Sequence, residues 1–179
     1  VSVKYGLSNA HYAIMSGSGY ATPAGLPGAE SLTLDDHADF KIINAAGIDI
    51  PAGVKGAYKS GELGVVSLPL TFLTGVFGYR YENGVLIEGK TVSKHFAMLF
   101  ETLDGLTPER FVYYDCIALL PQFKRETIGE SVELETQKLK IAVCRPIARL
   151  LRGYNADYSA SVLFGEQAYD TWFDGVYLT

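Results

Sequence analysis

Few of the residue types that do chemistry cluster in this chain. Asp35-Asp36-His37-Ala38-Asp39 is the one stretch with the composition of a metal site. Hard carboxylate oxygens and an imidazole could together hold a divalent cation. The stretch lacks the glycine and spacing of a calcium loop, and no second ligand cluster accompanies it, so it reads as an exposed acidic loop. The other histidines, His11 and His95, are far apart in sequence, and whether either meets a serine or a cysteine is left to the fold. Neither Cys116 nor Cys144 has a helix N-terminus or a basic flank to lower its thiol pKa. Both fall inside apparent strands and read as buried free thiols rather than a disulfide. No G-x-S-x-G elbow, phosphate loop or dinucleotide fingerprint is present. Catalysis needs polar groups converging on a pocket. No such group is legible, so the expectation is a protein without catalytic residues, cofactor or metal.

Charged residues point to surfaces instead. Arg145, Arg149 and Arg152 fall at spacings of four and three and could form a phosphate-binding stripe. The chain has 15 Lys and Arg against 20 Asp and Glu, a net charge of −5. Against that balance the arginines read better as partners for carboxylates across a subunit contact. The same balance argues against a sequence-reading nucleic-acid binder, which needs a basic face. It leaves room for a surface past which nucleic acid slides without sticking. Glu133 and Glu135 lie on the polar side of an alternating segment, Ser131 to Gln137.

The elements that would position these residues are mostly strands. The chain is long enough for one core, and no linker-like stretch divides its 179 residues, so a single domain over 1–179 is expected. No apolar run approaches the roughly 18 residues that cross a bilayer. From Lys94 to Leu120 two aromatic-rich arms flank Asp104-Gly105-Leu106-Thr107-Pro108-Glu109, which is turn chemistry, and the whole reads as a β-hairpin. The arms barely alternate, as in strands covered on both faces. A chain of this size has few elements for that, so part of the cover is expected from another copy. Asn9–Met15 reads as a first strand and Ala29–Leu34 as another. Phe40–Ile43 and Ile48–Ile50 flank a second hairpin turn at 44–47, within a loose segment from Asp35 to Gly56. Pro69 to Phe77 reads as a short helix with Gly78 at its C-terminal cap. Asn83-Gly84 marks a tight turn. The apolar phase moves from even positions (Val132, Leu134) to odd ones (Leu139, Ile141, Val143), which predicts a bulge or bend near 136–138. Tyr154–Phe164 reads as a strand and Glu166–Val176 as a short terminal helix.

Several segments together resemble the major tail protein, or tail tube protein, of long-tailed, non-contractile siphovirus-type bacteriophages, in the group common among phages of Gram-positive bacteria. They are YGLSNAHYA (5–13), YATPAGLPGAESLTL (20–34), AYKSGELGVVSLPLTFLTGVFGY (57–79), ENGVLIEG (82–89), FAMLFETLDG and RFVYYDCIAL in the main hairpin, and TWFDGVY (171–177). None is diagnostic alone; their order spans nearly the whole chain. The resemblance implies a mainly β fold of tail-tube-protein type: a two-sheet β-sandwich or half-barrel flanked by a short α-helix, with one long loop. It implies a structural virion protein that forms hexameric rings stacked around a tape measure protein. The tube would be capped by tail terminator and baseplate or distal tail proteins. Genomic DNA would pass through without sequence-specific binding. Assembly would take place in the host bacterial cytoplasm, the product would sit in the virion tail, and no membrane anchoring is implied. The chain ends soon after TWFDGVY, so the immunoglobulin-like domain that some relatives append is not expected.

Read on this resemblance, a wall of carboxylates would repel the duplex and keep it centred in the tube. Glu133, Glu135 and Glu62 are the candidates to face that lumen. Asp35, Asp36, Asp39, Phe40 and Ile48 in the long loop, with Arg145, Arg149 and Arg152, are the candidates for subunit or ring contacts. The loop is expected to order on assembly. A tube protein of a tail-derived bacteriocin or gene-transfer particle fits the same features. A small-molecule-binding β-barrel of lipocalin type is the alternative of a different class.

Overall fold

The computed structural model describes residues 4–17, 19–45, 48–90, 92–104, 107–120, 136–144 and 159–178. In chain order these form β1 (Lys4–Ser16), β2 (Gly19–Tyr20), β3 (Ala24–Gly25), β4 (Ala29–Ala45), β5 (Ile48–Val65) and α1 (Leu70–Val76). They continue with β6 (Arg80–Glu82), β7 (Val85–Ile87), β8 (Phe96–Asp104), β9 (Thr107–Leu119), β10 (Gln137–Cys144) and β11 (Ser159–Leu163). The fold is mainly β. One antiparallel nine-stranded sheet runs β2-β1-β8-β9-β10-β5-β4, with β3 on β1 and β11 on β9, and β6–β7 is a separate hairpin. The long sheet curls until β4 comes back against β1 without pairing to it. Leu7, Leu32 and Leu34 from these two margins pack on one core, the open form of a barrel.

Helix α1 fills the concave side of that curl. Pro69 caps it in an extended conformation rather than occupying its first turn, and Gly78 (φ 69) follows its last. Gly78 permits the left-handed turn that a Cβ would resist, and the Tyr79 N–H then bonds the Leu73 carbonyl at 3.1 Å. Phe72, fully buried, meets Tyr12, Phe77 and Phe96 edge-on with ring centroids 4.9, 5.8 and 5.9 Å away. A seven-residue helix is unstable in water, and this packing holds it.

The β8–β9 hairpin has the doubly apolar faces its sequence announces. Phe96 through Phe100 are all buried; Phe96, Met98 and Phe100 face the α1 side. Ala97 and Leu99 face a second core with Val112, Tyr114, Val162, Tyr169 and Trp172. The cover on that second face is β11 and the C-terminal segment of the same chain. On this face, then, the cover expected in part from another copy comes from the chain itself. The segment is also not the predicted terminal helix. Residues 164–175 make successive turns, with i to i−3 bonds such as Tyr169 N–H to Glu166 O at 2.9 Å and Asp174 N–H to Thr171 O at 3.0 Å. Ala168, Trp172 and Val176, which such a helix would place on one side, do face the core, but side-chain anchors hold the segment there: Trp172 Nε1 donates to Phe111 O at 3.2 Å, and Tyr114 Oη to Tyr177 O at 2.8 Å.

A bulge lets β9 serve two neighbours. Phe96 pairs with Cys116 and Met98 with Tyr113, so β9 advances three residues where β8 advances two. The extra residue reverses the alternation: Val112 and Tyr114 face the second core, Cys116 and Ala118 the first. On the same margin β9 changes partner from β11 (109–113) to β10 (115–119). In β10 the odd residues Leu139, Ile141 and Val143 are buried as the sequence phase requires. The even-phase stretch before it, and residues 154–158 of the predicted last strand, lie outside the described residues.

Candidate assembly surfaces

The largest departure from the sequence reading is the segment from Asp35 to Gly56. It is not loose. β4 and β5 run 17 and 18 residues and pair along their whole length, from Ala29↔Val65 to Ala45↔Ile48, so that Asn44 and Ala45 of the expected 44–47 turn belong to the ladder. β-propensity missed this because Asp, Gly and Pro make up 8 of its 22 residues and interrupt the apolar runs, and the ladder with its own partner strand overrode them. Gly61 shows how closely the strands approach: a Cβ there would lie 1.8 Å from the Thr33 carbonyl oxygen. Next to β5, β10 pairs only with Lys59–Val65. Beyond that, among the described residues, the two strands pair with each other alone. They form a two-stranded arm.

The structure scatters the acidic cluster. On a strand, neighbouring side chains point to opposite faces, so Asp35 and His37 share one face and Asp36 takes the other. Asp36 forms an ion pair with Lys59. His37 Nε2 is 2.8 Å from Ser60 Oγ, and its ring stacks on Tyr58 with centroids 4.9 Å apart. Among the described residues no three His, Cys, Asp or Glu side chains are grouped to hold a metal. Asp39 and Phe40 lie on β4 opposite Lys55 and Val54, and Ile48 opens β5 opposite Ala45. These contact candidates therefore belong to the arm, together with Asp35 and Asp36 at its base. Arg145, Arg149 and Arg152, like Glu133 and Glu135, lie outside the described residues.

Glu62 is exposed on the outer face of β5, the side away from the α1 core. Its cross-strand neighbours are Thr33 on β4 and Lys140 on β10. Lys138 Nζ lies 3.4 Å from its carboxylate. The described part of this face thus mixes both signs rather than presenting carboxylates alone. An apolar groove of about 390 Å³ crosses the same face, lined by Val92, Ile117, Leu119 and Ala142 with Lys140 and Glu62. A second cavity, about 410 Å³, opens between β1 and β4 at the mouth of the curl, over Phe100, Phe111 and Tyr113.

Two polar clusters that sequence reasoning passed over, one at Asp115 and one at Glu101, turn out to be structural. Asp115, at the β9 bulge, is 3% exposed, and its Oδ1 lies 2.5 Å from His95 Nδ1. Cys116 and Cys144 are free thiols. Burial, reinforced by the Asp115 carboxylate, raises both their pKa values, opposite to what a reactive thiol needs. Glu101 takes Arg110 Nε at 2.7 Å and Tyr169 Oη at 2.8 Å on the same oxygen, while Asn9 Nδ2 reaches the other at 3.3 Å. Burial alone would raise the Glu101 pKa; hydrogen bonds from Arg110 and Tyr169, then the Arg110 charge and Asn9, hold it below the usual carboxylate range. The Arg110 guanidinium also lies 3.8 Å from the Tyr169 ring centroid and 4.7 Å from that of Phe173. This knot ties the C-terminal segment to β8 and β9.

No protein-family model matches the chain, and no curated protein matches it significantly. Among the described residues no helix is long and apolar enough to cross a membrane.

Proposed function

We propose that this chain is a structural protein that polymerises, as stacked hexameric rings, into the tail tube of a long-tailed, non-contractile bacteriophage. In that role it is the conduit for genomic DNA during ejection and binds no sequence. The sequence resemblance across most of the chain supports the class. The observation that carries the assembly is the arm. A two-stranded hairpin alone is at best marginally stable in water, and the outer parts of β4 and β5 have no further strand beside them among the described residues. An uncovered margin of this length is a template for another chain. A neighbouring subunit or ring would supply the missing cover, and closing six margins around a hole would leave no open edge. A tube protein of a tail-derived bacteriocin or gene-transfer particle would work in the same way. The tape measure would set tube length, and terminator and baseplate proteins would cap the ends.

The test is direct: purify the chain, raise its concentration with and without a co-expressed tape measure, and follow size-exclusion chromatography and negative-stain microscopy. Rings and hollow tubes are the expected products. A strict monomer under both conditions would sink the proposal. That outcome would favour the lipocalin-type reading, for which the mouth cavity over Phe100, Phe111 and Tyr113 is the supporting observation.

A further inference from the structure

The concave side of the curl is filled unevenly. Helix α1 and the rings around Phe72 occupy one part of it. Toward the mouth, between β1 and β4, the chain leaves the cavity of about 410 Å³. That volume falls among small-molecule sites, which span about 300–1,000 Å³. Strand alternation decides what faces it. Phe100 and Thr102 lie two residues apart on β8 and share a face, as do Phe111 and Tyr113 on β9. Register sets Phe100 opposite Phe111. The outcome is a row of stacked rings, with Phe100 5.4 Å from Phe111 and 5.8 Å from Tyr113 between centroids. Leu7 on one side and Leu32 and Leu34 on the other wall the row in.

One polar group in this lining stands apart. Thr102 Oγ1 is shut off from water and has no hydrogen-bond partner, and no other buried side-chain nitrogen or oxygen among the described residues is left so. A hydroxyl in that state costs free energy that a bound polar group would recover. Turning χ1 to another staggered position moves Oγ1 and breaks no bond, because it makes none. The rest of the lining adds little charge. Glu30 and Ser31 are exposed, and Glu30 takes the Thr136 hydroxyl at 2.9 Å. Burial, opposed by Lys59, pushes the Tyr113 phenol above its usual pKa and keeps it uncharged.

We infer that this cavity binds a neutral, flat, fused-ring aromatic carrying one hydroxyl, with its rings against the Phe100–Phe111–Tyr113 row and its hydroxyl on Thr102 Oγ1. A row of stacked rings offers stacking at its ends and edge-on contact along its length, which selects a flat partner. A threonine hydroxyl both donates and accepts, so it suits another hydroxyl. The inference goes beyond the tail-tube reading and holds for a ring-forming chain or a monomer alike.

The probes are 2-naphthol and naphthalene, titrated by fluorescence into the dilute, unassembled full chain. Saturable binding of both is expected, with 2-naphthol roughly fivefold the tighter, the worth of one hydrogen bond. Thr102→Val should erase that preference while naphthalene binds as before. Its urea midpoint should equal or exceed that of the wild type, since a buried orphan hydroxyl is removed. Leu34→Trp, which fills the cavity, should abolish binding of both probes. No saturable binding to the wild type overturns the site. A 2-naphthol preference that survives Thr102→Val, or a lowered midpoint in that variant, overturns the Thr102 anchor. Ring and tube formation is scored separately: tubes from a chain that binds neither probe sink this inference alone, and a strict monomer that binds with the expected preference sinks the tail-tube reading alone.

Discussion

The β8–β9 hairpin and the arm of β4 and β5 are both antiparallel pairs, yet they solve opposite problems. In the first, each face is dry: α1 and the curled sheet cover one, β11 and the C-terminal turns the other, all from the same chain. In the second, among the described residues, the outer strands pair only with each other. Apolar residues on both faces of a strand are thus no sign of a missing partner when the chain can fold a tail across. A margin with no further strand beside it among the described residues is the better sign.

The sharpest way to break this contrast is to remove the cover on the second face. Trp172 is 3% exposed, bonds Phe111 O and stacks on Tyr177 with centroids 5.6 Å apart. Trp172→Ala is expected to cost the dilute, unassembled protein about 3–5 kcal/mol, read by urea unfolding. A loss below about 1 kcal/mol would mean that the segment does not seal that face in solution, and cover from another copy would return as the explanation.

A smaller effect, with a pH signature, is expected at the Glu101–Arg110 knot. Both side chains are 17% exposed, so the pair is shielded but not fully dry. Arg110→Ala should destabilise by about 2–3 kcal/mol at neutral pH, somewhat less than breaking a fully buried pair. The Glu101 pKa lies below its ordinary 4.5 when folded. Its contribution is therefore complete above about that pH and fades as the pH falls through the folded-state value. The gap between wild type and variant should narrow in acid. A gap constant from pH 7 to pH 3 would show that Arg110 acts through its contacts with the Tyr169 and Phe173 rings and not through the carboxylate.

How far such features could be foreseen depends on the range of the interaction that creates them. Local signals carried the short helix, the Asn83-Gly84 turn and the main hairpin. The odd-numbered core positions of β10 follow from alternation alone. Long-range choices were out of reach. Nothing local says that Glu166–Val176 will be held by Trp172 and Tyr169 anchors instead of winding into a helix. The hairpin of Phe40–Ile43 and Ile48–Ile50 was legible, but nothing local says that the ladder will run on from Ala45↔Ile48 to Asp35↔Ser60, 11 paired positions, despite the glycines and proline in it. The acidic cluster misled for the same reason, since a loop could gather its carboxylates while a strand divides them between faces. His95–Asp115 was illegible because it depends on a bulge, and one inserted residue leaves no compositional trace.

The smallest expected effect on folding is the most informative about the contrast. Excising residues 38–57 and joining His37 to Tyr58 through Asn-Gly shortens the arm to the part that abuts β10, with a turn suited to the strand twist. If the arm is a separate two-stranded extension, the body loses no core contact and its unfolding free energy should move by less than about 1 kcal/mol, since chain length in an exposed connection matters only logarithmically. Phe72, Leu63 and Val65 would keep their surroundings, because the core nearest the arm is built from β5 at Lys59–Val65 and from β10. Self-assembly, in contrast, should disappear at every concentration at which the wild type forms rings or tubes. A truncated chain that still polymerised would leave the arm without a role in assembly. One that unfolded several kcal/mol more easily would show that the arm folds back on its own body in solution, and the free margin on which the contrast is built would not exist.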